Sequence, residues 1–331
     1  VTTDGSTVAI DVETDQLVGP PKVEPKCFTY DSSFPPSITQ DELYASIGKP
    51  IRDSVLNGFN NCLFAYGQTG SGKTHSILGT EDSPGVLRYL IDDIFSAAKE
   101  KHEGKQLCVT VSFLEIYNEQ LRDLLDPQTI PDAIALQRRS VTDNPNSFAQ
   151  VPNLTEAACG SLDECLSFLN LGLKQRATAQ TNMNSQSSRS HSVFTIRLRK
   201  RISASQREHR TSSVHLIDLA GSERTKRSGA VGQRMKEGQS INTSLSVLGQ
   251  VISKLSIAKA SSASHIPFRQ SKLTYLLTDA LTGNSHTCML AAVSPARHDQ
   301  EETLSTLRFA SSVKKIKTVR AVPSGCNLGS S

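Results

Sequence analysis

The sequence predicts an α/β fold, a three-layer domain in which a mixed, mostly parallel central sheet is flanked by helices. Two observations predict it. Short apolar runs rich in β-branched residues alternate along the chain with longer segments whose apolar residues recur every three or four positions. No internal repeat, low-complexity block or Pro/Gly/Ser-rich linker divides the 331 residues, which favours one large domain.

Each element follows from its local pattern. Strands are predicted at Asn61–Tyr66, Leu107–Tyr117, Ser192–Ile202, Val214–Leu219 and Thr287–Val293. Helices are predicted at Val86–Glu100, Leu162–Gln175, roughly Arg234–Ile257, Arg269–Thr282 and Gln300–Ile316. Residues 192–202 and 214–219 are candidates for an antiparallel hairpin, and segments 126–160 and 203–213 are the least regular, so we expect loops there.

Composition excludes several classes of protein. The chain has 36 Lys and Arg against 32 Asp and Glu, and this net charge of +4 is too small to identify a partner. The 7 cysteines form no CxxC pair, which favours a reducing compartment and no structural metal. Apolar stretches such as Cys288 to Val293 are far shorter than the roughly 18 residues of a membrane span, and no basic-then-apolar leader signals secretion.

A glycine-rich segment directly after the first core strand fits the pattern GxxxxGK[ST]. It comprises Gly67, Gln68, Thr69, Gly70, Ser71, Gly72, Lys73 and Thr74. Glycines let the backbone curl so that its N–H groups converge on phosphate oxygens. Lys73 can then reach the β- and γ-phosphates, and the Thr74 hydroxyl can bind Mg²⁺. The fold is therefore expected to be of the P-loop NTPase type, with kinases, GTPases, helicases and motors all still possible.

Two further segments narrow the choice. Asp218-Leu-Ala-Gly-Ser-Glu223 follows an apolar strand, and an acidic residue at such a strand end holds Mg²⁺ in P-loop proteins, usually through water. Taken alone, Asp218 is better explained as a strand-end Asp that caps the next turn, which is common. Asn184-Ser-Gln-Ser-Ser-Arg-Ser-His191 is rich in hydroxyls and suits a loop that wraps a triphosphate, although a polar surface loop has the same composition.

The order GQTGSGKT, NxxSSRSH and DLAGSE resembles the motor domain of a kinesin. Glu115–Leu125 (EIYNEQLRDLL), His265–Thr274 (HIPFRQSKLT) and Thr306–Ala310 (TLRFA) also resemble family segments. The likeness runs from about Phe28 to about Lys317, which is most of the chain.

The resemblance implies a role for each motif residue. Ser187 and Ser188 would lie near the γ-phosphate and Mg²⁺, with Thr74, Ser188 and Asp218 holding the metal. Gly221 would sense the γ-phosphate, and Arg189 and Glu223 would form an ion pair that closes the two loops around ATP. Glu223 would act on the attacking water through a water relay, and adenine would lie beside His75. ATP/ADP and Mg²⁺ are the implied ligands.

The resemblance also implies a domain organisation. Residues 1–316 would form the motor domain, and residues 317–331 would be a neck-linker-like segment and tail. Kinesins carry an RxRP segment on their first strand, and this chain, which starts Val1-Thr-Thr-Asp, contains none. We therefore expect that strand to be absent from this sequence.

Kinesins bind microtubules, whose acidic surface a basic footprint would complement. The candidates are Arg224, Lys226, Arg227, Arg234, Lys236, Arg269 and Lys272, with Arg138 and Arg139 as weaker ones. Thr243 and Tyr275 stand where many kinesins have Lys and Arg, which predicts a shifted or weaker contact.

The implied function is a microtubule-stimulated ATPase motor that moves toward plus ends, in the cytoplasm on the microtubule cytoskeleton. The alternative is a kinesin-like microtubule-binding or depolymerising regulator with slow or no motile ATPase. No nucleic acid or membrane partner is expected for this domain, and dimerisation would depend on regions downstream of it.

Overall fold

The computed structural model describes residues 1–14, 22–100, 107–126, 151–182, 189–201, 209–223, 233–257 and 266–317. The strands are β1 (Thr2–Asp4), β2 (Thr7–Thr14), β3 (Lys22–Thr29), β4 (Asn61–Tyr66), β5 (Leu107–Tyr117), β6 (Gln120–Asp123), β7 (Ala157–Cys159), β8 (His191–Arg201), β9 (His209–Asp218) and β10 (His286–Ala291). The helices are α1 (Gln40–Leu43), α2 (Lys49–Leu56), α3 (Lys73–Ile77), α4 (Val86–Glu100), α5 (Leu162–Asn182), α6 (Gln233–Ile257), α7 (Lys272–Leu276), α8 (Thr278–Thr282) and α9 (Gln300–Lys314). A π-helical turn, Tyr44–Gly48, joins α1 to α2, and 3-10 turns at Phe268–Gln270 and Arg297–Asp299 precede α7 and α9.

The central sheet has the strand order β10-β4-β9-β8-β5-β6, and β7 pairs with β5. Strands β10, β4 and β9 are parallel, whereas β8 runs antiparallel to both β9 and β5. Of the seven strands described in this sheet, four point one way and three the other. Asp218 pairs with Ala65 on one side and with Ser192 on the other, so the carboxyl ends of β4 and β9 meet the start of β8.

Helices cover both faces of this sheet. Apolar side chains on one face, including Leu63 and Ile196, pack against α2, α4 and α5. Those on the other face, including Phe64 and Ile217, pack against α6, α7 and α8. The predicted three-layer α/β architecture with a mixed central sheet is therefore confirmed. None of the helices within the described residues combines the length and apolarity that crossing a membrane requires.

A second, small antiparallel sheet of β1, β2 and β3 lies against α9. Val8, Ile10 and Val12 alternate along β2 and pack against Leu304 and Leu307 of α9. Because strand side chains alternate between faces, this spacing turns all three valine and isoleucine side chains toward the helix. The small sheet therefore covers the face of α9 that is turned away from the main core.

Several elements differ from their predicted bounds. Asn61–Tyr66, Leu107–Tyr117 and Val86–Glu100 lie where they were predicted. The expected helix 269–282 is divided into a 3-10 turn, α7 and α8. Ser271 is extended, at φ −140° and ψ 145°, and separates the turn from α7, and Leu277, at φ −80° and ψ −1°, lies between α7 and α8. Strand β9 begins at His209 instead of Val214, so the loop predicted at 203–213 is wrong for residues 209–213, which the ladder with β8 holds extended.

Candidate functional site

The predicted phosphate loop connects β4 to α3 and needs glycine at three positions. Gly67, Gly70 and Gly72 have φ values of 150°, 79° and 102°, in the region that side chains avoid. At Gly67 a Cβ would also lie 2.0 Å from the carbonyl oxygen of Ala292 after β10. These glycines therefore fix a backbone path that other residues would strain, and this path ends at the first turn of a helix.

Lys73 opens α3 and is 6% exposed. Its Nζ donates to the Gln68 carbonyl oxygen at 2.7 Å, so the ammonium group spans the loop. Burial lowers the pKa of Lys73, and the carboxylates of Asp218 and Glu223 oppose that shift. A buried cation that donates to the backbone of this loop is suited to a polyanion, because negative phosphate oxygens would compensate its desolvation.

Thr74 and Asp218 meet where the phosphate loop approaches the end of β9. The Thr74 Oγ1 donates to Asp218 Oδ2 at 2.7 Å. Within the described residues, the other oxygen, Asp218 Oδ1, is buried and accepts no hydrogen bond. Carboxylate and hydroxyl oxygens are the ligands that Mg²⁺ prefers, directly or through water. The donor set present here therefore fits a magnesium ion.

Glu223 closes the other side of the phosphate loop. Its Oε2 accepts from the Thr69 N–H at 2.8 Å and its Oε1 from the Thr69 hydroxyl at 2.5 Å. Ser222 N–H donates to the Gly67 carbonyl at 3.0 Å, which ties the same segment to the loop a second time. The ion pair of Arg189 with Glu223 that the resemblance implies stays a prediction.

Gly221 lies between these contacts and is buried. A Cβ at this position would come within 2.3 Å of Thr69 Oγ1 and 2.4 Å of Glu223 Oε2. Only glycine leaves this approach to the phosphate loop open, which is consistent with the predicted role of its N–H toward a terminal phosphate.

A buried arginine that sequence reasoning missed joins the elements around Asp218. Arg176 of α5 contacts Asp218 Oδ2 at 3.4 Å through Nη1 and Glu115 Oε1 at 3.6 Å through Nε. Nη1 also donates to Ser192 Oγ at 3.1 Å, and Nη2 donates to the Ser190 carbonyl at 3.3 Å. Arg176 thus fixes the start of β8 and the end of β9 relative to each other.

The position of Arg176 carries a sequence signal that could have identified it. Cys165, Leu169, Gly172 and Arg176 are all buried and are spaced by four, three and four residues. This spacing is one face of a helix, so the arginine continues an apolar stripe toward the sheet. A charged residue on such a stripe needs a buried partner, which here is the pair of carboxylates.

His191, the last residue of the SSRSH segment, links β8 to the segment after β9 and to α6. Its Nδ1 accepts from the Ala220 N–H at 3.0 Å, and its Nε2 lies 2.8 Å from Ser244 Oγ. Because Nδ1 accepts, the neutral ring carries its proton on Nε2 and donates it to Ser244. Burial, with Arg176 and Lys73 nearby, lowers the pKa of His191 to about 3.

Two further predicted positions lie at the margins of the site. His75 is exposed, and the Gln40 side chain donates to its carbonyl oxygen at 2.7 Å and approaches its Nδ1 at 3.0 Å. Ser71 Oγ donates to the Gln68 carbonyl at 2.8 Å and so reinforces the loop. The adenine contact implied for His75 remains a prediction.

Part of the predicted footprint lies at the same end of the sheet. Arg269 is exposed in its 3-10 turn, and Lys272 begins α7. Glu119, after β5, accepts from the Lys272 N–H at 2.7 Å and from Ser271 Oγ at 3.0 Å. The turn that holds Glu119 is thereby joined to the start of α7.

The remaining predicted residues are not all described. Ser187, Ser188, Arg224, Lys226 and Arg227 lie outside the described residues, as do Arg138 and Arg139. Arg234 and Lys236 belong to the first turns of α6. Arg189 lies two residues before the start of β8.

Relatives of known sequence resemble this chain over most of its length. Kinesin-related protein 1 of Dictyostelium discoideum is 43% identical over 303 residues, covering 89% of this chain and 14% of that protein. Klp68D of Drosophila pseudoobscura pseudoobscura is 41% identical over 309 residues, covering 92% of this chain and 37% of that protein. Human KIF13B is 41% identical over 319 residues, covering 92% of this chain and 17% of that protein. The chain thus spans well under half the length of these relatives.

Solved structures agree. The structure of a fast kinesin aligns with a TM-score of 0.86 at 36% identity, covering 99% of this chain and 88% of that one. A KIF14 dimer with AMP-PNP, in complex with a microtubule, aligns with a TM-score of 0.82 at 37% identity, covering 97% and 91%. The family model of the kinesin motor domain matches residues 6–316. This chain therefore belongs to the kinesin family and carries its motor domain.

Proposed function

We propose that this motor domain hydrolyses ATP, that microtubules stimulate the reaction, and that its cycle drives movement toward microtubule plus ends. The contact between Thr74 Oγ1 and Asp218 Oδ2, at 2.7 Å, is the observation that carries the proposal. It joins the phosphate loop to the end of β9 at a point where Asp218 Oδ1 accepts no hydrogen bond from the described residues. A kinase or structural nucleotide site would not need the further contacts of Ser222 and Glu223 with the same loop.

Binding is assigned to the loop and its neighbours. Backbone N–H groups of residues 67–72 and the Lys73 ammonium would hold the phosphates of ATP. Thr74, Ser188 and Asp218 would hold Mg²⁺, which when bound neutralises charge on the phosphate oxygens. Ser187 would lie against the γ-phosphate, and His75 beside adenine.

Hydrolysis is assigned to positioning more than to a strong base, since phosphoryl transfer demands alignment and charge neutralisation. The Gly221 N–H would donate to the γ-phosphate, and Glu223 would leave Thr69 to pair with Arg189. In that arrangement Glu223 would orient the attacking water through a relay. Exchange of the Thr69 contact for the Arg189 contact would make loop closure depend on the triphosphate.

A structural change that follows nucleotide binding would be transmitted to α6 through His191. The ring holds the Ala220 N–H, next to Gly221, and the Ser244 hydroxyl on α6. A shift of the Gly221 segment toward phosphate would pull on a buried bond that α6 shares. In the proposed motor, α6 therefore responds to the presence of the γ-phosphate.

Track binding is assigned to basic residues at this end of the sheet. They are Arg224, Lys226, Arg227, Arg234, Lys236, Arg269 and Lys272. The microtubule complex of the KIF14 neighbour supports this partner. Residues 317–331 would act as the neck linker, docking on the motor domain as an added strand in the ATP state.

The test is steady-state ATP hydrolysis with and without stabilised microtubules at low ionic strength. We expect strong stimulation, and we expect Lys73→Ala to abolish it. Lys174→Ala, an exposed lysine on α5, is the matched control and should hydrolyse ATP normally. Gliding of polarity-marked microtubules over surface-bound protein then reports direction.

Microtubule binding without stimulation of hydrolysis would overturn the motor proposal in favour of a regulator. Gliding with plus ends leading would overturn the direction alone, because a plus-end motor pushes microtubules with their minus ends in front.

A further inference from the structure

Two cysteines meet where β7 leads into α5. Cys159 ends β7, and Cys165 lies at the end of the first turn of α5. Both side chains are buried and belong to the same apolar core. The Cys165 thiol donates a hydrogen bond to the Cys159 sulfur, and the Cys159 thiol donates to the Ala157 carbonyl oxygen at 3.7 Å. The two sulfur atoms are therefore in contact.

Backbone and cap contacts hold the two cysteines in this position. Cys159 pairs with Val109 of β5, which fixes it to the central sheet. Ser161 Oγ accepts from the Glu164 N–H at 3.2 Å, and Glu164 Oε2 accepts from the Gly160 N–H at 2.7 Å. These reciprocal bonds cap the start of α5 and fold the segment between the two cysteines into a tight turn. The contact between the sulfur atoms thus follows from the way in which β7 is joined to α5.

The contact makes the two thiols unequal in reactivity. The hydrogen bond from Cys165 lowers the pKa of Cys159, whereas burial and the charge of Glu164 oppose that shift. Because the thiolate is the form that attacks an oxidant, a lowered pKa favours the reaction. Burial raises the pKa of Cys62, and it raises the pKa of Cys288 to about 11. Of these thiols, Cys159 is therefore the one disposed to attack.

We propose that Cys159 and Cys165 form a redox-active dithiol, which hydrogen peroxide oxidises to a disulfide. Cys159 is 7% exposed and is followed by the exposed Gly160, so a molecule of this size can reach its sulfur. Cys165 is 0% exposed and reacts only with its neighbour. In the reducing compartment that the cysteine pattern favours, a disulfide is usually transient and redox-sensing.

The oxidation takes two steps. The Cys159 thiolate attacks one oxygen of the peroxide, the O–O bond breaks, and the leaving hydroxide takes up the proton that Cys159 released, which yields water and a sulfenic acid. The Cys165 sulfur then attacks the Cys159 sulfur, the S–O bond breaks, and the leaving hydroxide takes the Cys165 proton as a second water. The two thiols lose two electrons and two protons in total, and one peroxide is reduced to two waters.

The disulfide would act on the nucleotide site through α5, and this part of the inference rests on the proposed function. Two hydrogen-bonded sulfur atoms are farther apart than the roughly 2.05 Å of a disulfide bond, so its formation would draw the start of α5 toward β7. Arg176 lies on the same face of α5 as Cys165 and contacts both Asp218 and Glu115. Because a helix moves as a rigid element, its displacement would shift the Arg176 guanidinium relative to the end of β9.

The test treats the whole chain with hydrogen peroxide, alkylates the remaining thiols and maps the bond by mass spectrometry. Cleavage after Glu164 separates the two cysteines, so we expect two peptides that stay joined until dithiothreitol releases them. Cys165→Ala cannot form the bond, and in this variant Cys159 should remain a sulfenic acid that dimedone labels when the chain is unfolded in its presence. Cys108→Ala removes an exposed thiol elsewhere and should form the bond like the wild type.

Steady-state ATP hydrolysis before and after oxidation measures the effect on the site. We expect oxidation to lower kcat about tenfold or more, because a misplacement on the order of 1 Å can cost about 100-fold. Dithiothreitol should restore kcat, and Cys159→Ala should not respond to peroxide in this way. Thermal melting of each variant verifies that it remains folded.

The peptide map and the ATPase assay separate the possible failures. The dithiol assignment is overturned if peroxide yields no joined peptides, or if dimedone labels Cys159 equally in the wild type and in Cys165→Ala. Joined peptides with an unchanged kcat would support the dithiol and overturn its action through Arg176. A reduced chain without ATPase activity would overturn the proposed function, whereas the peptide map would still decide on the dithiol.

Discussion

At the scale of single residues, the proposed mechanism requires Glu223 to move away from Thr69. Both of its oxygens accept from Thr69, so a catalytic position elsewhere requires breaking these bonds. Glu223→Ala should lower microtubule-stimulated kcat for ATP by about 100-fold or more, since a preorganised group is lost. Glu301→Ala, on the exposed side of α9, should leave kcat unchanged. Wild-type turnover of Glu223→Ala would refute the assignment.

Replacing two glycines by alanine should have different effects: Gly221→Ala should affect ATPase activity, and Gly249→Ala should affect stability. In Gly221→Ala the new methyl would meet Thr69 Oγ1 and Glu223 Oε2, which are side-chain ends that can shift. We therefore expect ATPase activity to be lost while the free energy of unfolding changes little.

Gly249 lies inside α6, and a Cβ there meets nothing within 4 Å. Gly249→Ala should raise the free energy of unfolding by about 0.5–1 kcal/mol, because alanine loses less backbone entropy in a helix. Urea denaturation and ATPase assays of both variants test this; a large loss of stability in Gly221→Ala would contradict it.

At the scale of elements, His191 joins β8, the Ala220 segment and α6 in its neutral form. Its pKa is lowered to about 3, so between the ordinary histidine value and that point the unfolded chain binds a proton that the folded chain does not. Stability contributed by His191 is therefore present above about pH 6.5 and is lost as the pH falls, by about 1.4 kcal/mol per pH unit. His191→Asn keeps a donor and an acceptor but cannot be protonated. Between about pH 7 and pH 5.5 it should lose about 1 kcal/mol less stability than the wild type.

Urea unfolding at the two pH values measures this difference, with His298→Gln as the control because that side chain is 80% exposed. Equal losses in the wild type and His191→Asn would show that the buried ring does not govern the acid sensitivity.

Elements with a clear apolar pattern could be predicted from the sequence, whereas polar segments that become strands only by pairing with a neighbouring strand could not. Five of the six residues of strand β4 are buried, and Cys62–Tyr66 form an unbroken apolar run, so the bounds of this strand were predicted correctly. Residues 209–213 are polar, and only their ladder with β8 makes them a strand. The motif residues of the site were visible because phosphate binding restricts residue type. The helical spacing of Arg176 indicates that it faces the sheet, but nothing in the local sequence states that its carboxylate partners come from β5 and β9.

At the scale of the whole molecule, the phosphate loop and the described residues that we assign to the track lie at the same end of the central sheet. Parallel strands impose this arrangement, because the loops that would bind nucleotide must share the end at which β4 and β9 terminate. A track that stimulates hydrolysis has to contact elements joined to that same end.

The last prediction follows from this arrangement. Arg269→Ala combined with Lys272→Ala removes two cations beside α7, whose start is bound by Glu119 through the backbone N–H of Lys272. Since that bond does not involve the lysine side chain, we expect the fold to remain and the affinity for microtubules at low salt to fall about fivefold or more. Co-sedimentation over a range of salt concentrations measures the change, with Lys49→Ala and Arg88→Ala as the charge-matched control. Because the removed charges act through a screened field, the difference between variant and wild type should shrink as salt rises. A salt-independent loss would instead indicate a damaged interface, and unchanged affinity at every salt concentration would place the footprint away from α7.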